Sequence, residues 1–186
     1  TITIRELGTV VEGGETLYTM TFDPDTLTAG VEAGTVSIRR KVPALSLICE
    51  SGNRLWGVEG NTIFGSALGD PTNFYTYDGL DTDSFAVAVA SDGAFTAVVP
   101  YGSSVLFFKE EVLHKLLGDY PSNYQLYDSK IPGVKRESSG SVCRINEVVY
   151  YHGREGVYQY AGGTPKLISQ DFGPRRYEKA CAGALG

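Results

Sequence analysis

The sequence predicts an all-β fold: a partial or small β-propeller of four-stranded antiparallel blades, with one short helical insertion. Three observations lead there. Twelve Tyr, eight Phe and many Val, Ile and Thr sit in short runs, and these residue types fit a pleated, half-buried surface. The runs are punctuated by turn residues, among them 23 Gly, as strands are. They also recur in groups of four with a period of about 40 to 50 residues, the length of one propeller blade.

In chain order, residues 1–42 are the least regular. Ile2–Ile4, Leu17–Phe22 and Val36–Arg39 are strand candidates around a turn at Asp23-Pro24-Asp25, supplying either part of a first blade or an appended ribbon. The repeat domain is 43–186. Its first unit, 43–80, reads as strands Leu45–Glu50, Arg54–Val58, Thr62–Ala67 and Asn73–Tyr77, with turns at Ser51-Gly52-Asn53, Glu59-Gly60-Asn61 and Gly69-Asp70-Pro71. The second, 84–130, opens with the small apolar run Phe85–Ala90, takes a hairpin turn at Asp92-Gly93, and continues through Phe95–Val99 and Val105–Phe108. Lys109–Leu117 follows as the helical insertion, because Val112, Leu113, Leu116 and Leu117 stand three and four apart on one helical face. Gly118-Asp119-Tyr120-Pro121 then leads into the strand Asn123–Tyr127, echoing Gly69–Tyr75. The third unit, 138–170, holds Ser141–Ile145, Val148–Tyr151, Gly156–Tyr160 and Lys166–Ser169, and Ala180–Leu185 opens a truncated unit from 179.

A propeller is preferred to a flat sheet because the runs opening two of these units, Ala86–Ala90 and Ala180–Ala184, are small and apolar, as a strand crowded near a central axis must be. The later strands are bulkier and aromatic, as suits the wider outer part of a blade. An ordinary β-sandwich is the alternative. A closed propeller usually has four or more blades, so three units and a remnant imply a longer natural chain, or closure through the N-terminal segment or another copy.

Sixteen Lys plus Arg against 22 Asp plus Glu give a net charge of -6, which argues against a free-standing nucleic-acid binder, since such a protein needs a basic face to displace counterions. The charge is also uneven: residues 1–93 carry 5 basic and 13 acidic side chains, residues 94–186 carry 11 and 9. Head-to-tail contact between copies would use that polarity; solvated faces that merely differ are the plainer reading. The longest apolar stretches, Ala86–Ala90 and Val105–Phe108, are far short of the roughly 20 residues of a membrane-spanning helix, so no membrane partner is expected. Thr1–Arg5 lacks the pattern of a signal peptide. Cys49, Cys143 and Cys181 are few, odd in number and far apart, which fits reduced thiols in a cytosol-folded protein.

Candidate chemistry is sparse. Asp78, Asp81 and Asp83 form an oxygen-rich stretch between the first two units, but their spacing does not match a helix-loop-helix Ca²⁺ loop. A glycosidase carboxylate pair drawn from this stretch and Glu59 or Glu110 is not selected by anything in the sequence. His114 and His152 have no Ser or Cys in a recognisable nucleophile elbow and read as surface side chains. Gly162-Gly163 lacks the Lys and helix of a phosphate-binding loop. Tyr75, Tyr77, Tyr124, Tyr127, Tyr158 and Tyr160 alternate as packing residues do, although the same rings would serve as a sugar-stacking surface. The expectation is therefore no catalytic residue, no cofactor and no metal.

The stretch Gly52–Phe74, with Asn53-Arg54-Leu55-Trp56 followed by Ser66-Ala67-Leu68-Gly69-Asp70-Pro71-Thr72-Asn73-Phe74, resembles a phrase of tailed-bacteriophage and prophage structural proteins of the virion neck, tail tube or tail tip. The resemblance covers one unit closely and the later two in outline. It implies a non-enzymatic assembly protein, made in the bacterial cytoplasm and located in the virion, that contacts other virion structural proteins and forms a homo-oligomer in the particle. It implies no specific nucleic acid. A carbohydrate-binding or glycan-acting propeller used in host recognition is the alternative, with a cellular interaction scaffold a third option.

Overall fold

The computed structural model describes residues 4–22, 42–172 and 178–184. The chain divides into two compact units, Thr1–Arg39 and Arg40–Gly186. In the first, β1 (Ile4–Glu12) and β2 (Glu15–Phe22) form an antiparallel hairpin. Its turn places Gly13 and Gly14 at φ of 62° and 87°, the left-handed conformations that a two-residue hairpin turn requires. Leu17–Phe22 is thus strand as expected, and Ile2–Ile4 contributes Ile4 to a much longer strand. The candidates Val36–Arg39 and the turn Asp23–Asp25 lie outside the described residues.

The second unit is all-β. Among the described residues it holds three four-stranded antiparallel sheets, each a simple meander. The first contains β3 (Ser46–Ser51), β4 (Arg54–Glu59), β5 (Thr62–Gly65) and β6 (Phe85–Ala88). The second contains β7 (Ala97–Tyr101), β8 (Ser104–Phe108), β9 (Val112–Leu117) and β10 (Gln125–Lys130). The third contains β11 (Cys143–Ile145), β12 (Val148–His152), β13 (Val157–Tyr160) and β14 (Lys166–Leu167).

The three sheets repeat one register. Cross-strand rows Cys49–Trp56–Gly65–Phe85, Val99–Leu106–Lys115–Tyr127 and Cys143–Tyr150–Gln159–Lys166 occupy corresponding positions, and we call the face they share the front. Trp56, Val58 and Ile63 on the front of the first sheet pack against Val105, Phe107 and Leu116 on the back of the second. Leu106, Phe108 and Leu113 on the front of the second pack against Val149, Tyr151 and Tyr158 on the back of the third. The second sheet is therefore covered on both faces. Phe107 and Phe108, adjacent in sequence, point into different cores and are both fully buried, each stabilising by roughly 1.5–3 kcal/mol relative to exposure. Edge-to-face contacts of Trp56 with Phe107 (6.4 Å) and Phe108 with Tyr160 (6.3 Å) tie the layers together.

Several expected elements are corrected. Lys109–Leu117 is not helical: Val112–Leu117 is β9. A strand buried between two sheets is apolar on both faces, so its spacing imitates one face of a helix; Leu113 enters one core and Leu116 the other. The expected strand Asn73–Tyr77 is part of the long β5–β6 connection, and the first sheet is closed instead by β6, from the run Phe85–Ala90. That small apolar run is consequently a fourth strand at a sheet edge, not an inner strand of the second unit. Asp92-Gly93 lies on the crossing from one sheet to the next and turns no hairpin. Ala180–Ala184 carries no strand; Ala182 N–H donates to the Gly140 carbonyl at 2.9 Å, laying this segment beside the third sheet. Helical structure among the described residues amounts to three 3₁₀ turns, Pro121–Asn123, Ser139–Ser141 and Gln170–Phe172, and no helix is long and apolar enough to cross a membrane.

Candidate functional site

Three polar assemblies hold the side chains that carry chemistry. The first joins the first two sheets. The crossing segment after β6 carries Ser91 past the end of β8, where Lys109 is 1% exposed. The Lys109 ammonium donates to the Ser91 carbonyl at 2.6 Å and to Asn61 Oδ1, in the β4–β5 turn, at 3.1 Å. It also lies 4.8 Å from the centroid of the Phe95 ring, a cation–π contact strengthened by exclusion of water. Burial lowers the Lys109 pKa, with the Asp92 charge opposing.

Next to it, on β9, His114 is 1% exposed. Its Nε2 lies 2.8 Å from Ser91 Oγ and its Nδ1 lies 3.4 Å from Asp128 Oδ1 on β10. Burial lowers the His114 pKa; Asp128 opposes that effect and the nearby Lys109 adds to it. The neutral ring fits both partners when Nδ1–H donates to Asp128 and Nε2 accepts the Ser91 hydroxyl. These three side chains stand in the order nucleophile, base and orienting carboxylate, an arrangement the sequence did not reveal because Ser91, His114 and Asp128 come from a crossing segment and two strands. The imidazole is nevertheless sealed between sheets, and its hydrogen bonds pin the crossing segment to β9.

The second assembly joins the second and third sheets. Arg154, in the β12–β13 turn, donates to Glu111 Oε1 at 2.5 Å and to Glu110 Oε2 at 3.3 Å. Glu110 Oε1 accepts the Arg136 N–H at 3.0 Å, and that backbone bond, reinforced by Arg154, holds the Glu110 carboxyl below the usual carboxylate range. A cavity of about 200 Å³ lies between the two clasps, lined by Asp92, Gly93, Ala94, Glu110, Glu111 and Arg154.

The third organises the β5–β6 connection. Arg54, 2% exposed, donates Nη1 to the Ser66 carbonyl at 2.7 Å and to the Asp83 carbonyl, and Nη2 to the Asp81 carbonyl at 2.6 Å. Asp83 Oδ2 accepts the N–H groups of Gly79 and Leu80 at 2.7 and 3.0 Å, while Gly69 N–H donates to the Asn53 carbonyl at 2.9 Å. Within the stretch Gly52–Phe74, Arg54 and Ser66 thus supply the guanidinium and one of its acceptors, and the other two carbonyls come from Asp81 and Asp83 beyond it.

Some of the residues weighed from the sequence join these assemblies, and others, Asp78 and Glu59 among them, are exposed outside them. Asp81 and Asp83 serve the Arg54 loop, and among the described residues no group of three or more His, Cys, Asp or Glu is placed to hold a metal. Glu59 is exposed on the first sheet and Glu110 is committed to Arg154, on a different sheet pair. His114 and His152, expected on the surface, are 1% and 4% exposed; the Phe95 ring packs against His114 with centroids 5.9 Å apart, and the segment carrying Ser138 and Ser141 lies against His152. His152 Nδ1 lies 3.2 Å from Ser138 Oγ, and burial, with Lys135 adding, lowers its pKa. Gly162, at φ 95°, makes a turn. Tyr158 and Tyr160 are core residues and Tyr124 packs on Trp56 with centroids 5.4 Å apart. Tyr77 and Tyr127 are more than half exposed, and Tyr75 is half-buried. Tyr127 borders a groove of about 520 Å³ with Lys115, Ile131, Tyr160, Gly162 and Gly163.

Comparison with known proteins adds no relative: no protein-family model matches the chain, and no curated protein matches it.

Proposed function

We propose that this chain is a non-enzymatic structural component of a phage or prophage virion, a propeller-type scaffold that works through contacts with other proteins. The observation that supports it most is how the reactive side chains are spent. Lys109 and His114 lie inside the joint between two sheets and Arg154 bridges the next, so the groups available for catalysis serve rigidity instead. Three meanders stacked front to back in one register are what consecutive propeller blades require, and the loops and the outer sheet faces of the stack are surfaces open to partners. An acidic surface also suits a conduit that DNA must pass without adhering; tight retardation of duplex DNA at low salt would count against that role.

The test is protein identification in density-gradient-purified particles from the source strain after prophage induction. The chain is expected among the virion proteins at a fixed ratio to the other tail or neck components. Its absence from particles, with presence in the soluble lysate, overturns the reading.

A second reading, glycan binding, is favoured by the half-exposed ring of Tyr127 beside the 520 Å³ groove, since an exposed aromatic beside polar groups is a platform for a sugar face. A glycan array with wild type and Tyr127→Ala separates the two: binding lost in the variant supports the second reading.

A further inference from the structure

Among the described residues of the second unit, no sheet stacks on the back of the first sheet. Because the three sheets share one register, each back position has counterparts. The row Gly57–Phe64–Ala86 corresponds to Phe107–His114–Asp128 in the second sheet and to Tyr151–Tyr158–Leu167 in the third. Phe107, His114, Tyr151 and Tyr158 are all at most 3% exposed, beneath the front of the preceding sheet. Leu55 likewise corresponds to the buried Val105 and Val149. In the first sheet this face carries Ile48 at 58% exposure and half-buried Leu55 and Phe64, and neither core includes them; Gly57 is buried, close against the side chains of Leu45 and Ile48. An apolar sheet face of this kind marks an interaction surface.

At the other end of the stack, the front of the third sheet presents the row Cys143–Tyr150–Gln159–Lys166, half-buried to exposed throughout. Its place corresponds to that of Cys49–Trp56–Gly65–Phe85, which covers the second sheet. The two ends also differ in charge: exposed Glu50 and Glu59 edge the first, exposed Lys166 the second.

We propose that the back of the first sheet receives the front of the third sheet of a second copy, continuing between molecules the stacking seen within one. The contact is head to tail, so it propagates into a ring if the rotation closes and a filament if it does not. It rests on the scaffold reading but is separable from it, because a chain incorporated into particles as a monomer would fail this proposal alone.

The experiment is sedimentation velocity of the full chain with two variants, one at each end: Ile48→Asp on the back of the first sheet, and Gln159→Glu with Lys166→Glu on the front of the third. All three positions are outside the cores, and unchanged near-ultraviolet circular dichroism checks folding; Leu55→Asp, at the position of the buried Val105 and Val149, replaces Ile48→Asp should that variant unfold. Wild type is expected to shift to twice the monomer mass or more as concentration rises. Each variant alone should stay monomeric, and an equimolar mixture should form a one-to-one dimer and nothing larger, since each supplies the end the other lacks. A monomeric wild type, association of either variant alone, or no dimer on mixing overturns the proposal.

Discussion

The guanidinium of Arg54 donates Nη2 to the carbonyl oxygen of Asp81, 27 residues further along the chain, at 2.6 Å. One side chain on β4 thereby ties down the far end of the β5–β6 connection, whose other carbonyls are partly served from within, as when Leu68 N–H donates to the Thr82 carbonyl at 2.9 Å and Ser84 N–H to the Thr76 carbonyl at 3.0 Å. The same guanidinium reaches Ser66 and Asp83, and its Cζ lies 6.0 Å from the centroid of Tyr124, just before β10.

Arg54→Leu is therefore expected to leave those carbonyls without their donor in a dry site. A loss of about 3–5 kcal/mol follows from stranding buried polar groups in this way. Chemical denaturation measures it, and limited proteolysis should first cut within residues 68–82. A variant as stable as wild type would show the loop to be held by other means.

Gly65 lies against the indole of Trp56: a Cβ added there would stand 2.6 Å from Cζ3. Gly65→Ala should cost about 1–3 kcal/mol, the usual penalty for overpacking a filled core, with a change in Trp56 fluorescence on the folded baseline. Gly163→Ala, where an added Cβ meets nothing within 4 Å, is the control and should leave the unfolding midpoint in place.

Stability should depend on pH through the two buried histidines. Burial lowers both pKa values below the ordinary 6.5, so the unfolded chain takes up protons at a higher pH than the native one. The native state is then fully favoured above about 6.5 and loses stability as the pH falls from there toward the lower native values. Unfolding midpoints between pH 8 and pH 5 test this, and His114→Gln should flatten part of the slope.

Thiol reactivity should separate the cysteines. Burial, with Glu50 adding, pushes the Cys49 thiol up to about 12, whereas Cys181 is exposed. Because the thiolate is the nucleophile, Cys181 should be alkylated at neutral pH well before Cys49, as peptide mass spectrometry would report. Equal rates would mean that the first sheet opens readily.

Ser91 should resist a fluorophosphonate probe, since His114 serves as a clamp. Ser91→Ala is expected to lower the melting temperature without removing any esterase signal. Stoichiometric labelling at Ser91 would overturn the non-enzymatic reading.

The third sheet shows how much the sequence conveyed. Its four strands fall within a residue or two of the runs marked by Asn146-Glu147, Gly153 and Gly162-Gly163, because short turns pin register locally. The second sheet is legible only in part, since Leu113 and Leu116 serve opposite faces and a doubly buried strand has no polar side to reveal its period. The Arg54 phrase was visible as a pattern, but its meaning lies in carbonyls up to 29 residues away.

Turn chemistry, aromatic and β-branched runs and their recurrence determined from the sequence alone that this is a β protein of repeated meanders. Only the tertiary structure decided which run closes each sheet, that the sheets stack front to back, and that Ser91, His114 and Asp128 meet. The reason is physical: strand pairing and burial depend on neighbours distant in the chain, and a side chain's spacing along one strand carries no record of which sheet will cover it.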